Sequence, residues 1–137
     1  MAPVLRQTPE EVVQSSEWAV AFNIRHFGED SGPACRARED LAKGLDSVGR
    51  HTEARVLREQ VVAACRRNRG PEDEQTLDAE LWLVVSLARE GIYEEALPLA
   101  IHLRDGRRHI KGIKSSKIEE ADKWVRALIE VRGSPEE

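Results

Sequence analysis

The chain repeats itself with a period of 42 residues, and that period limits its possible folds more than any other feature. A shift of 42 lays Gly28 on Gly70 and Gly112, and Gly49 on Gly91 and Gly133. Between the glycines it lays Ala37 on Ala79, Leu41 on Leu83, Leu45 on Leu87, Glu53 on Glu95, Ala54 on Ala96 and Leu57 on Leu99. Most matches are residues that end helices or let helices touch, and surface residues match hardly at all. Each unit of such a repeat keeps its core and varies its face. One unit cannot bury its apolar side alone, so neighbouring units must cover each other.

Within the period, apolar residues recur at helical steps. Thr8-Pro9-Glu10-Glu11 reads as a capping box with proline at the first helical position, opening helix 1 over about residues 9–27. Helix 2 follows from Pro33 to about residue 48, with Ala34, Ala37, Leu41, Ala42, Leu45 and Val48 on one face. Helix 3 covers about residues 51–68, and the short gap before it forces helices 2 and 3 to be adjacent and antiparallel. Helix 4 covers about residues 75–90 and helix 5 about residues 93–109. Pro98 is expected at or near the unpaired first turn of helix 5, and Gly106 to fray its last turn at a cost of about 1 kcal/mol relative to alanine. Ser116-Lys117-Ile118-Glu119 reads as a second capping box, opening helix 6 over about residues 117–132, with Gly133 ending it. Residues 1–8, a mobile tail, and 134–137 lie outside this pattern.

With 137 residues, one domain over 9–133 is the expectation. It comprises a half unit 9–28, full units 29–69 and 71–111, and a capping helix 116–132. The composition, 40% hydrophobic with 4% aromatic, suits helices around a modest core. A net charge of −4 gives no global pull toward nucleic acid or anionic lipid. The longest strongly apolar run, Leu81 to Val85, is far short of the ~20 residues a membrane span needs. Met1 to Glu11 carries no secretory signal pattern. Cys35 and Cys65 read as reduced thiols in a cytoplasmic protein, with a disulfide between them as the alternative.

The inner turns, Gly49-Arg50-His51-Thr52-Glu53-Ala54 and Gly91-Ile92-Tyr93-Glu94-Glu95-Ala96, resemble the Gly-x-x-x-x-Ala turn of the tetratricopeptide (TPR) family. Gly70-Pro71-Glu72-Asp73-Glu74-Gln75-Thr76 is similar to the linker of the 42-residue, kinesin light chain-like branch, with glutamate and glutamine where proline and aspartate are usual. Pro98 also has counterparts in that branch. The resemblance covers about residues 9–133. It implies an all-α fold, a right-handed α-α superhelix of antiparallel helix hairpins, a TPR-like solenoid of about six helices. Helix 1 is then the second helix of a unit lacking its first. Helix 6 is the first helix of an unfinished unit and a cap, with Lys117, Glu119, Glu120, Asp122, Lys123 and Arg126 on its polar side.

The resemblance also implies a groove along the first helix of each unit. Its positions fall on Arg36, Glu39, Lys43 and Asp46 in helix 2, on Asp78, Leu81, Val85 and Arg89 in helix 4, and on Glu120, Lys123 and Ala127 in helix 6. An extended peptide or partner helix would lie there, with Leu81 and Val85 as an apolar floor; the bland alternative is a solvated helix face. The branch usually carries asparagines where this chain has Glu39, Asp40, Leu81 and Trp82. Trp82 and Trp124 occupy equivalent positions and are expected to pack on the neighbouring helix. Trp18, with Val13 and Phe22, is expected to meet another chain at the open end, making a homo-oligomer through helix 1; the N-terminal tail folding over it is the alternative.

Other chemistries find less in the sequence. Arg66, Arg67, Arg69, Arg104, Arg107, Arg108, Lys111, Lys114 and Lys117 form a basic cluster, but no aromatic residues interleave it for base stacking, so a nucleic-acid accessory role is the weaker alternative. His26, His51, His102 and His109 fall in no metal-binding spacing, and neither a nucleophile elbow nor a phosphate loop is present. The expectation is a non-catalytic protein-protein interaction module without cofactor or metal, with oligomerisation or a spacer role in a larger assembly as the alternative.

Overall fold

A computed structural model describes residues 6–132. The expected tail at 134–137, Gly133 and the first part of the 1–8 tail lie outside the described residues. The described residues form six helices and no strand: α1 (Pro9–Phe27), α2 (Gly32–Ser47), α3 (His51–Arg69), α4 (Glu74–Arg89), α5 (Tyr93–Arg108) and α6 (Ser115–Arg132). Gly28, Gly49, Gly70, Gly91 and Gly112 fall in the turns that follow the first five, and all five have positive φ. Each lies 21 positions after the one before, so the 42-residue period is two helix-plus-turn halves. The chain divides into two compact units, Met1–Val61 and Val62–Glu137.

In the first unit, Thr8 caps α1. Its hydroxyl accepts from the Glu11 N–H at 3.1 Å, and the Glu11 carboxylate accepts from the Thr8 N–H at 2.8 Å. Helix α1 packs on α2 around Val13, Leu41, Ala42, Leu45 and Ala54, all buried. Burial of each larger aliphatic side chain contributes about 1.5–3 kcal/mol. Two arginines are buried as well. Arg38 donates to the Glu29 carbonyl at 2.7 Å, holding the turn before α2. Arg58 of α3 donates to Glu39 at 3.0 Å and Asp46 at 2.6 Å, both on α2, and so closes the α2–α3 pair.

In the second unit, the turn before α4 is held from three sides. The Thr76 hydroxyl, fully buried, donates to the Gly70 carbonyl at 2.8 Å. Asp73 caps α4 by accepting from the Gln75 N–H at 2.9 Å. Glu72 reaches His102 of α5 at 3.0 Å. Leu77, Leu81, Leu103 and Ala121 join α4, α5 and α6 in one core, with Ile110 and Trp124 packed against it. The inner turn of this unit repeats that of the first. The Ile92 N–H donates to the Leu87 carbonyl at 2.8 Å, as the Arg50 N–H does to the Leu45 carbonyl.

Three local expectations are corrected. Pro98 is the sixth residue of α5, past the unpaired turn, so the helix forgoes one backbone bond there; its exposed position leaves the facing carbonyl open to water. Gly106 does not fray α5, which runs on to Arg108; it is buried against Leu77, and a Cβ there would lie 2.9 Å from both Leu77 methyls. Helix α6 starts at Ser115, one residue before the expected cap, so Ser116 sits in the first turn. That start is tightened by the Lys117 N–H bonding to the Lys114 carbonyl.

Candidate functional site

The face shared by α4 and α6 is built on Arg107. Its guanidinium, 1% exposed, sits in α5 and donates to Asp78 of α4 and Glu120 of α6, each at 3.2 Å, and to the Lys117 carbonyl at 2.6 Å. Its Nε has no hydrogen-bond partner among the described residues. Lys117 adds a second link across the same helices, 2.8 Å from Glu74 and 3.5 Å from Asp78. The Glu74 hydrogen bond, joined by Asp78, holds its ammonium above the usual lysine range against the opposing effect of burial. Asp78 and Glu120 are one period apart, so a single cation ties equivalent positions of two successive repeats within the second unit. Both acids are partly neutralised, and Lys123 and Arg89 of this face are exposed.

Of the expected apolar floor, Leu81 is core: it is 8% exposed and packs with Leu77 and Leu103. Val85 is half-buried and Ala127 exposed. The residue the sequence reading missed is Trp82. It does not pack away on a neighbouring helix but is 44% exposed, whereas Leu77, Leu81, Leu83, Val84 and Leu87 of α4 are buried. Asp78, Trp82, Val85 and Arg89 follow the four-, three-, four-residue steps of one helix stripe. Trp124, its equivalent on α6, is half-buried against the core. The signal that could have found Trp82 was that stripe, since every larger apolar neighbour lies off it.

In the first unit, Arg36 and Lys43 are exposed, while Glu39 and Asp46 are half-buried and engaged with Arg58. Asp46 also lies 2.7 Å from His51 Nδ1. On α1, Trp18 is 68% and Phe22 40% exposed, with their rings stacked 5.1 Å apart. Val13, expected beside them in a contact with another chain, is 2% exposed and points into the α1–α2 core, so it offers nothing to a partner.

The basic cluster is largely spent in ion pairs of the second unit. Arg66 pairs with Glu80, Arg104 with Asp105 and Asp122, Arg107 with Asp78 and Glu120, and Arg108 with Asp105. Such pairs leave fewer cations for phosphates. His102 lies between Glu80 and Glu72, beside a hollow of about 470 Å³ that Asp105, Gly106, His109 and Ile110 also line. Burial opposes its charged form, but the bonds to Glu80 and then Glu72 outweigh it and raise its pKa above 6.5. Among the described residues no group of three or more His, Cys, Asp or Glu is arranged to hold a metal. No described helix is long and apolar enough to cross a membrane.

These hairpins and their glycine turns define a TPR-like repeat fold. BtubC (BKLC) from P. vanneervenii is similar, with a TM-score of 0.81 and 12% identity over 90% of this chain and 50% of that one. A putative kinesin light chain from Podosopora anserina with nearly identical TPR-like repeats is similar at a TM-score of 0.71 and 20% identity, over 90% of this chain and 63% of that one. The likeness is one of fold, and the chain spans half to under two-thirds of the length of these proteins. No family model matches the chain, and no curated protein matches it in sequence.

Proposed function

We propose that the chain is a non-catalytic protein-interaction module that holds an extended peptide or partner helix on the α4–α6 face. The observation that carries this reading is Trp82, a large aromatic left 44% exposed on a helix whose other large apolar residues are buried. Tryptophan is the side chain that most often anchors an interface. Around it Val85 and Ala127 supply apolar contact, and Lys123 supplies positive charge. Asp78 and Glu120 repel an acidic ligand little, because Arg107 and Lys117 already hold them. The fitting ligand is therefore a mildly acidic segment with an apolar anchor. The same reading places the module in the cytoplasm, with Cys35 and Cys65 reduced.

The test is to select ligands from a displayed random-peptide library and titrate labelled copies against variants. The reading expects acidic peptides with one bulky apolar residue. It expects Trp82→Ala and Lys123→Glu each to weaken them about tenfold, roughly the 1.4 kcal/mol of a modest interface anchor. Trp18→Ala should leave them unchanged. Selected peptides that bind Trp82→Ala as tightly as the parent would refute the site.

A further inference from the structure

The exposed face of α1 has a shape and a charge order that fit one occupant. Glu11, Ser15, Trp18, Phe22 and Arg25 lie at four- and three-residue steps and are all exposed, so they form one stripe of the helix. The middle of the stripe is aromatic: Trp18 stacks on Phe22 at 5.1 Å, and Phe22 meets His26 at 4.1 Å. Its ends are charged oppositely, with Glu10 and Glu11 in the first turn and Arg25 and His26 in the last.

Another unit of the repeat does not fit this face. Two periods on, Phe22 corresponds to Gly106, the residue on which Leu77 of α4 sits closely enough that a Cβ would lie 2.9 Å from both its methyls. A helix of the α4 kind laid on α1 would drive that leucine into the Phe22 ring. The face instead suits a helix that meets aromatic with aromatic.

We infer that this face binds the same face of a second copy, the two α1 helices crossing antiparallel about Trp18. Glu11 lies seven positions before Trp18 and Arg25 seven after it. An antiparallel pair centred there sets Glu11 of each chain beside Arg25 of the other, and Trp18 beside Trp18. A parallel pair would set like charges together. The contact is isologous, so it closes at two chains. Aromatic stacking and two complementary ion pairs hold it, and the opposed helix dipoles add to the order. One pair of helices buries less than the roughly 1,200 Å² of a stable complex, so the dimer is weak, with a Kd in the micromolar range or above.

Sedimentation equilibrium on the whole chain, from about 1 μM to about 500 μM at low salt, tests this over the range of a weak complex. The mass should climb from 15.4 kDa toward twice that value. Trp18→Ala and Arg25→Glu should each remain monomeric. Glu11→Lys should too, and an equimolar mixture of Glu11→Lys with Arg25→Glu should regain the dimer, because each variant supplies the charge the other lacks. Glu11 also caps α1, so helix content is measured alongside; Glu11→Gln, which keeps an acceptor for the Thr8 N–H, is the folded control and should weaken the dimer several-fold. A wild-type chain that stays monomeric throughout would mean that this face serves a different partner, and overturns the proposal. A Trp18→Ala chain that dimerises as well as wild type, or a mixture that does not recover, overturns it equally.

Discussion

His102 Nδ1 stands 2.8 Å from Glu80 Oε1, and the Glu80 side chain has no exposed surface. A buried carboxylate needs partners on both sides, and Arg66 supplies the other at 2.8 Å. His102 also reaches Glu72 in the turn before α4, so one imidazole ties that turn to α5. Its folded pKa is raised above 6.5, which makes the protonated form the stabilising one. That stabilisation is fully present below the unfolded value and is lost as pH rises through the folded pKa. Urea unfolding from pH 5.5 to 9 should therefore show wild-type stability falling on the alkaline side relative to His102→Gln. Parallel curves for the two proteins across that range would contradict the assignment.

Gly106→Ala separates helix propensity from packing. Alanine alone would gain about 1 kcal/mol in a helix interior. Here its Cβ would meet both Leu77 methyls at 2.9 Å and Glu72 at 3.0 Å, and overpacking of that kind costs about 1–3 kcal/mol. The net expectation is a loss of about 1 kcal/mol, read from the denaturant midpoint. A stabilised variant would show that Leu77 moves aside freely.

Thr76→Val tests the turn before α4. The substitution keeps the shape and removes the hydroxyl that donates to the Gly70 carbonyl, leaving that half-buried acceptor only the long bond from the Asp73 N–H at 3.5 Å, at a cost of about 1 kcal/mol. Gly91→Val tests the inner turn by another route. Gly91 has φ +75, and a β-branched residue there costs at least about 1–2 kcal/mol. Thermal melting followed by circular dichroism should show both losses. A wild-type melt for Gly91→Val would count against the turn.

Arg58→Met tests the closure of α2 on α3. It leaves Glu39 and Asp46, both largely buried, without their shared cation. Breaking such a pair from one side costs about 3 kcal/mol. Charge loss rather than lost packing is the cause if Glu39→Gln/Asp46→Asn recovers part of the loss in the Arg58→Met background. No recovery in that triple variant would point to packing instead.

The sequence made the helices legible because their ends are marked by residues with one dominant use. Thr8 reads as a cap and is one; Gly49, Gly70 and Gly91 end helices because their backbone takes a conformation other residues resist. Interior contacts are less visible. Gly106 looked like a weak helix residue because nothing local says that Leu77 sits on it. Arg38 and Arg58 carry no local mark of burial, and Arg107 reads as one member of a basic cluster, because their partners lie 9 to 29 positions away. Leu81 and Trp82 exchanged expected roles because adjacent residues on a helix differ in facing by about 100°, and the period alone does not fix the face to that accuracy.

The central claim is that Trp82 is where a partner docks, and its own fluorescence tests it most directly. In a Trp18→Phe/Trp124→Phe background Trp82 is the remaining tryptophan, and its half-open environment gives a water-exposed emission. Titrating a library-selected peptide should shift that emission to the blue with the same midpoint as the binding measured on the labelled peptide. Binding that leaves the emission unchanged would contradict the account.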